Sequence, residues 1–574
     1  MHVVTTERRY KDKVYRAHLL RRSYREGGKV KNETLANLSA LPEHVVDLVR
    51  RALRGGRFVE ADELFDVLAS PQHGHVAAVQ EAMRRLGFAR LLAARPCKER
   101  QLVLAMVTAR IINPQSKLAT SRWWHNTTIP EVFGVEEADE DDLYAAMDWL
   151  LERQPRIEKK LAQRHLQEGG LVLYDLSSSY FEGRCCPLAR LGHSRDGKKG
   201  TLQVNFGLVT DGLGCPVSIS AFPGDSADVS TLGSQVDKVR RRFGIDSLVL
   251  VGDRGMISQR QIDELAREKG VDWVTALRSS SIRRLVEQGR LQLGLFDERN
   301  LFEFIDPEHP GERFVACRNV LLAEHRARKR RSLLEATASR LAKIRDRVHS
   351  TGRGKLRGKA KIALQVGRVL HTYKVGKHFD LDIGDDHFDF AINEDRVARE
   401  AALDGIYVIR TSVTSERLDS AGVVRTYKRL SSVERAFRSL KTVDLKIRPI
   451  RHWAERRVRA HLFLCMLAYY VQYHMQEAWR PLLFADEEAW TQEREDVVAP
   501  AERSARTIAK VRRRTTDDGH PAHSFSTLIA ELGGIVRNRC RRKGAAAREP
   551  LITMETQPSK LHKKAYDLLE VIGP

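Results

Sequence analysis

Three carboxylates have the local setting that chemistry on a phosphate would need. Asp175 ends the apolar run Leu171-Val172-Leu173-Tyr174, and Asp253 follows the run Ser247 to Val251. In open α/β sheets, sites form at the carboxyl ends of the strands. The third acid, Glu434, lies in YKRLSSVERAFRSLK, residues 427–441, where Tyr427, Glu434 and Lys441 are spaced seven and seven. Seven residues advance a helix by about 700°, two turns less about 20°. The spacing therefore predicts one face carrying all three, with Arg438, four residues after Glu434, on the same side. Leu430, Val433, Phe437 and Leu440 make a neighbouring apolar stripe that would hold this helix against a sheet. Two acids at strand ends and a third on a later helix suit two divalent cations about 3.5–4 Å apart, one activating an attacking oxygen and the other stabilising the leaving oxygen. An all-oxygen donor set favours Mg2+ or Mn2+ over zinc. Asp175 or Asp253 alone reads more readily as a cap of the next helix or turn, and Glu434 alone equally well as part of a solvated face paired with Arg438; the combination is what points to phosphoryl transfer.

The elements that would position these acids can be read along the chain. Residues 1 to about 40 look like a basic hairpin, Val14 to Leu20 and Val30 to Leu38 around Glu26-Gly27-Gly28. Helical periodicity follows at Pro42–Leu53, Val76–Leu86, Lys98–Ile112 and Asp141–Gln167, so residues 1–165 read as a mainly helical domain with a small hairpin. The pattern changes at Gly169-Gly170. Strands are expected at 171–174, Gln203–Val209, Cys215–Phe222, Ser247–Val251 and Trp273–Leu277. Helices from Asp228 to about Phe243 and over about 258–268 fall between them. This is an α/β order with a three-stranded meander first. Residues 278–405 interrupt it with short strands (Phe302–Phe304, Phe314–Arg318, Phe388–Ile392) and basic helices. The α/β character resumes at Ile406–Thr411 and a helix from about Tyr427 to Thr442, and a strongly apolar helix covers Val458–Tyr473. The division is 1–165, then 166–277 with 406–475 as one α/β domain, 278–405 as a basic insertion, and 476–574 as a helical C-terminal segment.

Composition bounds the classes. The chain has 574 residues, 42% hydrophobic, which supports buried cores and argues against wholesale disorder. Its net charge is +23, which favours a polyanionic partner through release of phosphate counterions. From Arg326 to Lys377 there are 17 Lys and Arg against 2 acids, so this stretch alone carries +15. The longest apolar run, Leu462–Val471, is ten residues, against about 20 for a membrane span. The N-terminus lacks the apolar centre of a secretion signal, which predicts a cytosolic protein with reduced thiols. The seven cysteines contain no CxxC pair, so their spacing predicts no zinc site. No phosphate-binding GxxxxGK[ST] segment is present. His461 and the tryptophans Trp123, Trp124 and Trp453 are expected to be packing residues.

The sequence resembles the bacterial insertion-sequence transposases of the DDE type. LVLYDLSSSYFEG (Asp175), LVLVGDRGMIS (Asp253) and YKRLSSVERAFRSLK (Glu434) carry the resemblance. Within that family it is similar to the group with a Y-x2-R-x3-E-x6-K signature and a large insertion before the glutamate. Here Leu430 stands where that signature has Arg. The loop GHSRDGKK (Gly192–Lys199) and RPIRHWAERRVRAHLFLC (Arg448–Cys465) agree with the group. The resemblance implies an RNase H-like catalytic domain interrupted by an insertion, with Asp175, Asp253 and Glu434 catalytic and binding two Mg2+ (or Mn2+) ions. It implies cleavage at the ends of a mobile element and transfer of the freed 3′-hydroxyl into target DNA. Tyr427 and Lys441, and more weakly Arg254, Arg435 and Arg438, would contact DNA. Terminal inverted repeats would be recognised by the N-terminal region, two chains would act together as a homodimer, and the protein would be cytoplasmic and nucleoid-associated when bound to DNA. The alternatives are a nuclease of the same fold without strand transfer, and a non-catalytic DNA-binding protein derived from a transposase.

Overall fold

The structure, a computed structural model, describes all residues except 12, 57–63, 353, 488–496, 501, 544 and 574. It divides into two compact units, residues 1–70 with 537–556 and residues 71–536 with 557–574. Where the sequence pattern groups residues 1–165 together, the helices after residue 71 instead belong with the large α/β unit.

The smaller unit begins with an antiparallel meander of β1 (His2–Tyr10), β2 (Lys13–Glu26) and β3 (Lys29–Asn37). The β2–β3 turn is Gly27-Gly28, with φ of +58° and +79°, a conformation that glycine adopts without strain. The expected hairpin is therefore present, and β1 adds a third strand. The helix Glu43–Leu53 and β4 (Phe65–Ala69) follow.

In the larger unit the helices Gly74–Arg85, Lys98–Ile112 and Glu140–His165 come first. The last starts with a reciprocal cap between Asp139 and Asp142, which satisfies two otherwise orphaned amides. The chain then builds a mixed sheet from β5 (Gly170–Tyr180), β6 (Arg190–Leu191), β7 (Leu202–Asp211), β8 (Pro216–Pro223), β9 (Leu248–Val251), β10 (Val271–Ala276), β11 (Leu301–Phe304) and β12 (Arg313–Arg318). After β12 come the helices Val320–His349 and Lys359–Tyr373, the hairpin β13 (Phe379–Ile383) and β14 (Phe388–Ile392), and the helix Glu394–Ala401. These pack around their own small core, including Leu341, Val348, Ile362 and Phe388. The chain returns to the sheet as β15 (Ile406–Thr411).

The sheet order is β11-β12-β15-β10-β9-β5-β7-β6, with β8 also on β7. β9 runs parallel to β5 and β10 parallel to β9, while β7 is antiparallel to β5 and β8 antiparallel to β7. The short strands β11 and β12, read from the sequence as part of the insertion, are hydrogen-bonded into this sheet through β15.

The helix Glu455–Ala478 is buried along most of its length, from Val458 to Gln472 almost without interruption. It packs with the helices Lys98–Ile112 and Glu140–His165 and against β8. Among the described residues, no helix is long and apolar enough to cross a membrane. In the C-terminal segment, Trp479 donates its indole N–H to the Ala565 carbonyl (2.8 Å), pinning the terminal helix Lys560–Leu569. The C-terminal segment, expected to be helical, also contributes β16 (Arg537–Arg542), which pairs with β17 (Ile552–Glu555) and β4 in the smaller unit. Residues 488–496, part of that segment, lie outside the described residues.

Candidate active site

β5 does not stop at Asp175, as its apolar run suggests; it continues to Tyr180, paired throughout with β7. On its other edge β5 pairs with β9 only from Gly170/Leu248 to Leu173/Val251. Continuing that register two residues places Asp175 opposite Asp253. Adjacent strands lie about 4.8 Å apart, and every second residue returns to the same face. Asp175, still within β5, is therefore brought close to Asp253 at the point where β9 ends. There the Gly252 amide still reaches Val274 O (3.2 Å), and the Asp253 carbonyl accepts from the amides of Met256 (2.9 Å) and Ile257 (3.2 Å), closing a tight turn.

Each aspartate is fixed locally. Asp175 Oδ1 accepts from the Leu176 amide, and Asp253 Oδ1 from the Arg254 amide, both at 2.8 Å. Asp175 is half-buried; Asp253 and Glu434 are exposed. Burial raises the Asp175 carboxyl to about 7, opposed by the Leu176 amide and Arg195 and reinforced by the charges of Asp253 and Glu434. Tyr427 links the other two acids. Its hydroxyl donates to Asp253 Oδ1 (3.3 Å), and its pKa is raised by burial first, then by Asp253, with a further contribution from Glu434. Glu434 is thus electrostatically coupled to Asp175 and to Tyr427, the residue that bonds Asp253.

The helix that carries Glu434 differs from a single straight one. It runs as Ser420–Lys428 and Leu430–Arg438, joined at Arg429 by a tightened turn with i→i−3 bonds (Arg429 N to Thr426 O, 3.2 Å; Ser432 N to Arg429 O, 2.9 Å). It then widens into a π-helical turn over Ser439–Val443. Arg429 reaches the carbonyl of Gly212 in the β7–β8 turn at 3.5 Å. The apolar stripe does face the sheet: Val433 and Leu440 are fully buried, and Phe437 packs edge-on against Phe206 of β7 at 5.6 Å.

The residues expected beside the acids separate into two groups. Tyr427 turns toward Asp253, while Arg254, Arg435 and Arg438 are exposed. Lys441 is buried and ion-paired with Asp196 at 2.8 Å, and Arg448 pairs with the same carboxylate. Burial lowers the Lys441 pKa, and Asp196 opposes that shift. Lys441 and Arg448 share a partner within the protein, so the one-face arrangement read from seven-residue spacing does not hold for Lys441.

Sequence reasoning assigned no role to Arg195, in the GHSRDGKK loop. Its backbone amide donates to Ser178 Oγ of β5 (3.1 Å), its guanidinium pairs with Asp228, and its charge acts on Asp175. Only the loop's agreement with the family could have pointed to it. Asp228, the first residue of the helix Asp228–Asp237, makes no capping bond and instead holds Arg195. His461 is buried as expected, 3.3 Å from the Ile447 carbonyl, and Trp124 is fully buried, but Trp453 stands 72% exposed.

The three acids offer only oxygen donors, and the charges of Asp253 and Glu434 both act on Asp175, which fits a hard divalent cation.

Comparison with known proteins places this geometry. A family model for the transposase DDE domain matches residues 184–471, half of the chain, starting just after Asp175. The chain belongs to the DDE transposases of bacterial insertion sequences. Residues 3–63 match a second model, the N-terminal domain of the IS1634 family transposases. No curated protein matches the chain. Among solved structures, a piggyBac transposase synaptic complex with hairpin DNA, seen by cryo-EM, is similar with 10% identity and a TM-score of 0.36, over 80% of this chain and 77% of that one.

Proposed function

We propose that the protein catalyses divalent-metal-dependent cleavage of DNA at the ends of its element and transfer of the 3′-hydroxyl into target DNA. The reading rests on the charges of Asp253 and Glu434 both acting on Asp175, with Asp253 just past the end of β9, the strand paired with β5 up to Leu173. The strand sequence β8-β7-β5-β9-β10, with the last two parallel to β5, supports the reading of an RNase H-like domain, which β15, β12 and β11 would extend.

Asp175, Asp253 and Glu434 would hold two Mg2+ or Mn2+ ions. When bound, these ions supply activation of the attacking oxygen and stabilisation of the leaving oxygen. The residues of the chain do the positioning. The amides of Leu176 and Arg254 orient the two aspartates, leaving oxygens free to bind. The Tyr427 hydroxyl steers Asp253, and Arg195 balances the charge of Asp175. Arg254, Arg435 and Arg438 are free to meet phosphates, offsetting the repulsion between DNA and the acids. Exposed cations on the insertion would hold the flanking duplex. Terminal-repeat recognition by the N-terminal unit and action as a homodimer on two ends complete the proposal.

The test is a cleavage and joining assay with terminal-repeat DNA, target plasmid and Mg2+. Asp175→Asn, Asp253→Asn and Glu434→Gln should each lose cleavage while binding the same DNA. Cleavage surviving in any of them overturns the assignment. Cleavage by the wild type with no joining of a pre-cut 3′-hydroxyl end would reduce the function to that of a nuclease.

A further inference from the structure

Away from the acid trio, the larger unit brings together three nitrogen and sulfur ligands that are far apart in sequence. His165 is the last residue of the helix Glu140–His165, Cys215 sits in the β7–β8 turn, and His474 lies near the end of the helix Glu455–Ala478. One ligand atom from each falls within 4.8 Å of the other two. Cys215 Sγ is 3.7 Å from His474 Nε2. In a tetrahedral zinc site, bonds of about 2.3 Å to sulfur and about 2.0–2.1 Å to nitrogen set that separation near 3.6 Å.

The surroundings fix the three groups. The Asp211 carboxylate accepts from the amides of Leu213 and Cys215, both at 2.9 Å, which holds the turn that presents the thiol. The Tyr470 hydroxyl lies 3.1 Å from His165 Nε2, and its ring packs edge-on against His474 at 4.7 Å. Ligand imidazoles are commonly oriented by such neighbours. Cys215 is 2% exposed, and both histidines are half-buried.

We propose that His165, Cys215 and His474 bind one Zn2+ ion, with water in the fourth position, and that this ion staples the helix leading into β5, the β7–β8 turn and the long buried helix to one another. One thiolate and two imidazoles suit zinc, whereas the oxygen-only acid trio suits magnesium. The competing account is a thiol–imidazole hydrogen bond in the core.

The test uses the full chain, expressed without a histidine tag, and measures metal content after gel filtration. It is repeated after chelation and reloading with Co2+. About one zinc per chain is expected in the wild type and in Asp253→Asn, falling to near zero in Cys215→Ser and His474→Gln. The cobalt form should show a thiolate-to-metal charge-transfer band in wild type and Asp253→Asn and none in Cys215→Ser. Because that band is read on wild type and Asp253→Asn, the test stands even if the ligand variants fold poorly. No band in the wild type, or equal zinc in wild type and Cys215→Ser, overturns the proposal.

Discussion

Asp196 offers the sharpest test of how the site is braced. Its carboxylate side chain is 1% exposed, is ion-paired with Lys441 (2.8 Å) and with Arg448, and accepts from the Tyr180 amide (3.2 Å). Asp196→Asn keeps the shape but removes the charge, leaving two cations facing a neutral amide. Removing one partner of a buried ion pair costs about 3–5 kcal/mol. The Lys441 side chain is 10% exposed and so is screened little, whereas Arg448, at 23%, is partly rescued by water. The lower end, about 3 kcal/mol, is therefore expected. The unfolding entropy of a unit of more than 400 residues is about 1 kcal/mol/K, so the thermal midpoint should fall by about 3 °C. Urea denaturation followed by tryptophan fluorescence would measure the same loss. Lys441→Met should also destabilise, and the double variant should cost clearly less than the two single costs added, since each removes the same interaction. DNA affinity of Lys441→Met, measured where the variant is folded, should stay within about twofold of wild type. Additive stability losses, or single losses below about 0.5 kcal/mol with a large loss of DNA affinity, would refute the pairing and return Lys441 to the phosphate-binding role its spacing suggested.

Other expectations follow from particular side chains. Phe437→Ala should destabilise the large unit by about 3–5 kcal/mol, because a nearly buried ring leaves a cavity beside Phe206; a loss under about 1 kcal/mol in urea denaturation would mean the helix is not held by this ring. Burial, with Arg110 nearby, lowers the Lys117 pKa from 10.5 to about 7. Between about pH 7 and 10 the unfolded chain then binds more protons than the folded one, so stability rises with pH in that window. Lys117→Met should be more stable than wild type by a few kcal/mol at pH 7, with the gap narrowing toward pH 10; a gap independent of pH would refute the shift. On the insertion, replacing the exposed Arg328, Lys329 and Arg331 by Gln should flatten the slope of log K against log salt by up to about 0.9 for each phosphate that is no longer neutralised. Arg330, held by Asp404, should contribute little, and an unchanged slope in the triple variant would remove this helix from the DNA path.

The residues proposed to carry the chemistry are legible in the sequence because that proposal depends on residue types in local settings. Apolar runs ending at Asp175 and Asp253, and an acid on a helix with an apolar stripe, survive any rearrangement of the rest. The stripe of Val433, Phe437 and Leu440 is buried as its periodicity required, and the strands around both aspartates form where β-branched and aliphatic runs predict them. Charge, by contrast, was over-read. Of the cations in 326–377, Arg330, Arg345, Lys355, Arg357 and Lys377 are paired with Asp404, Asp389, Asp386 and Glu400, which lie outside that window. Counting within a window cannot see partners that arrive from later in the chain.

What the sequence determined by itself was therefore which groups can act and which short elements carry them. Tertiary structure decided where those groups point. It carried β5 on past Asp175, because β7 pairs with it to Tyr180 while β9 leaves at Val251. It took Lys441 from the row shared with Glu434, because a π turn and the buried Asp196 gave it a partner inside the protein. It also brought Cys215 to His165 and His474, residues with no sequence pattern in common. The physical reason is the same in each case. Helix and strand periodicity are set by neighbours a few residues away, whereas pairing, burial and ligand geometry are set by interactions between segments dozens to hundreds of residues apart.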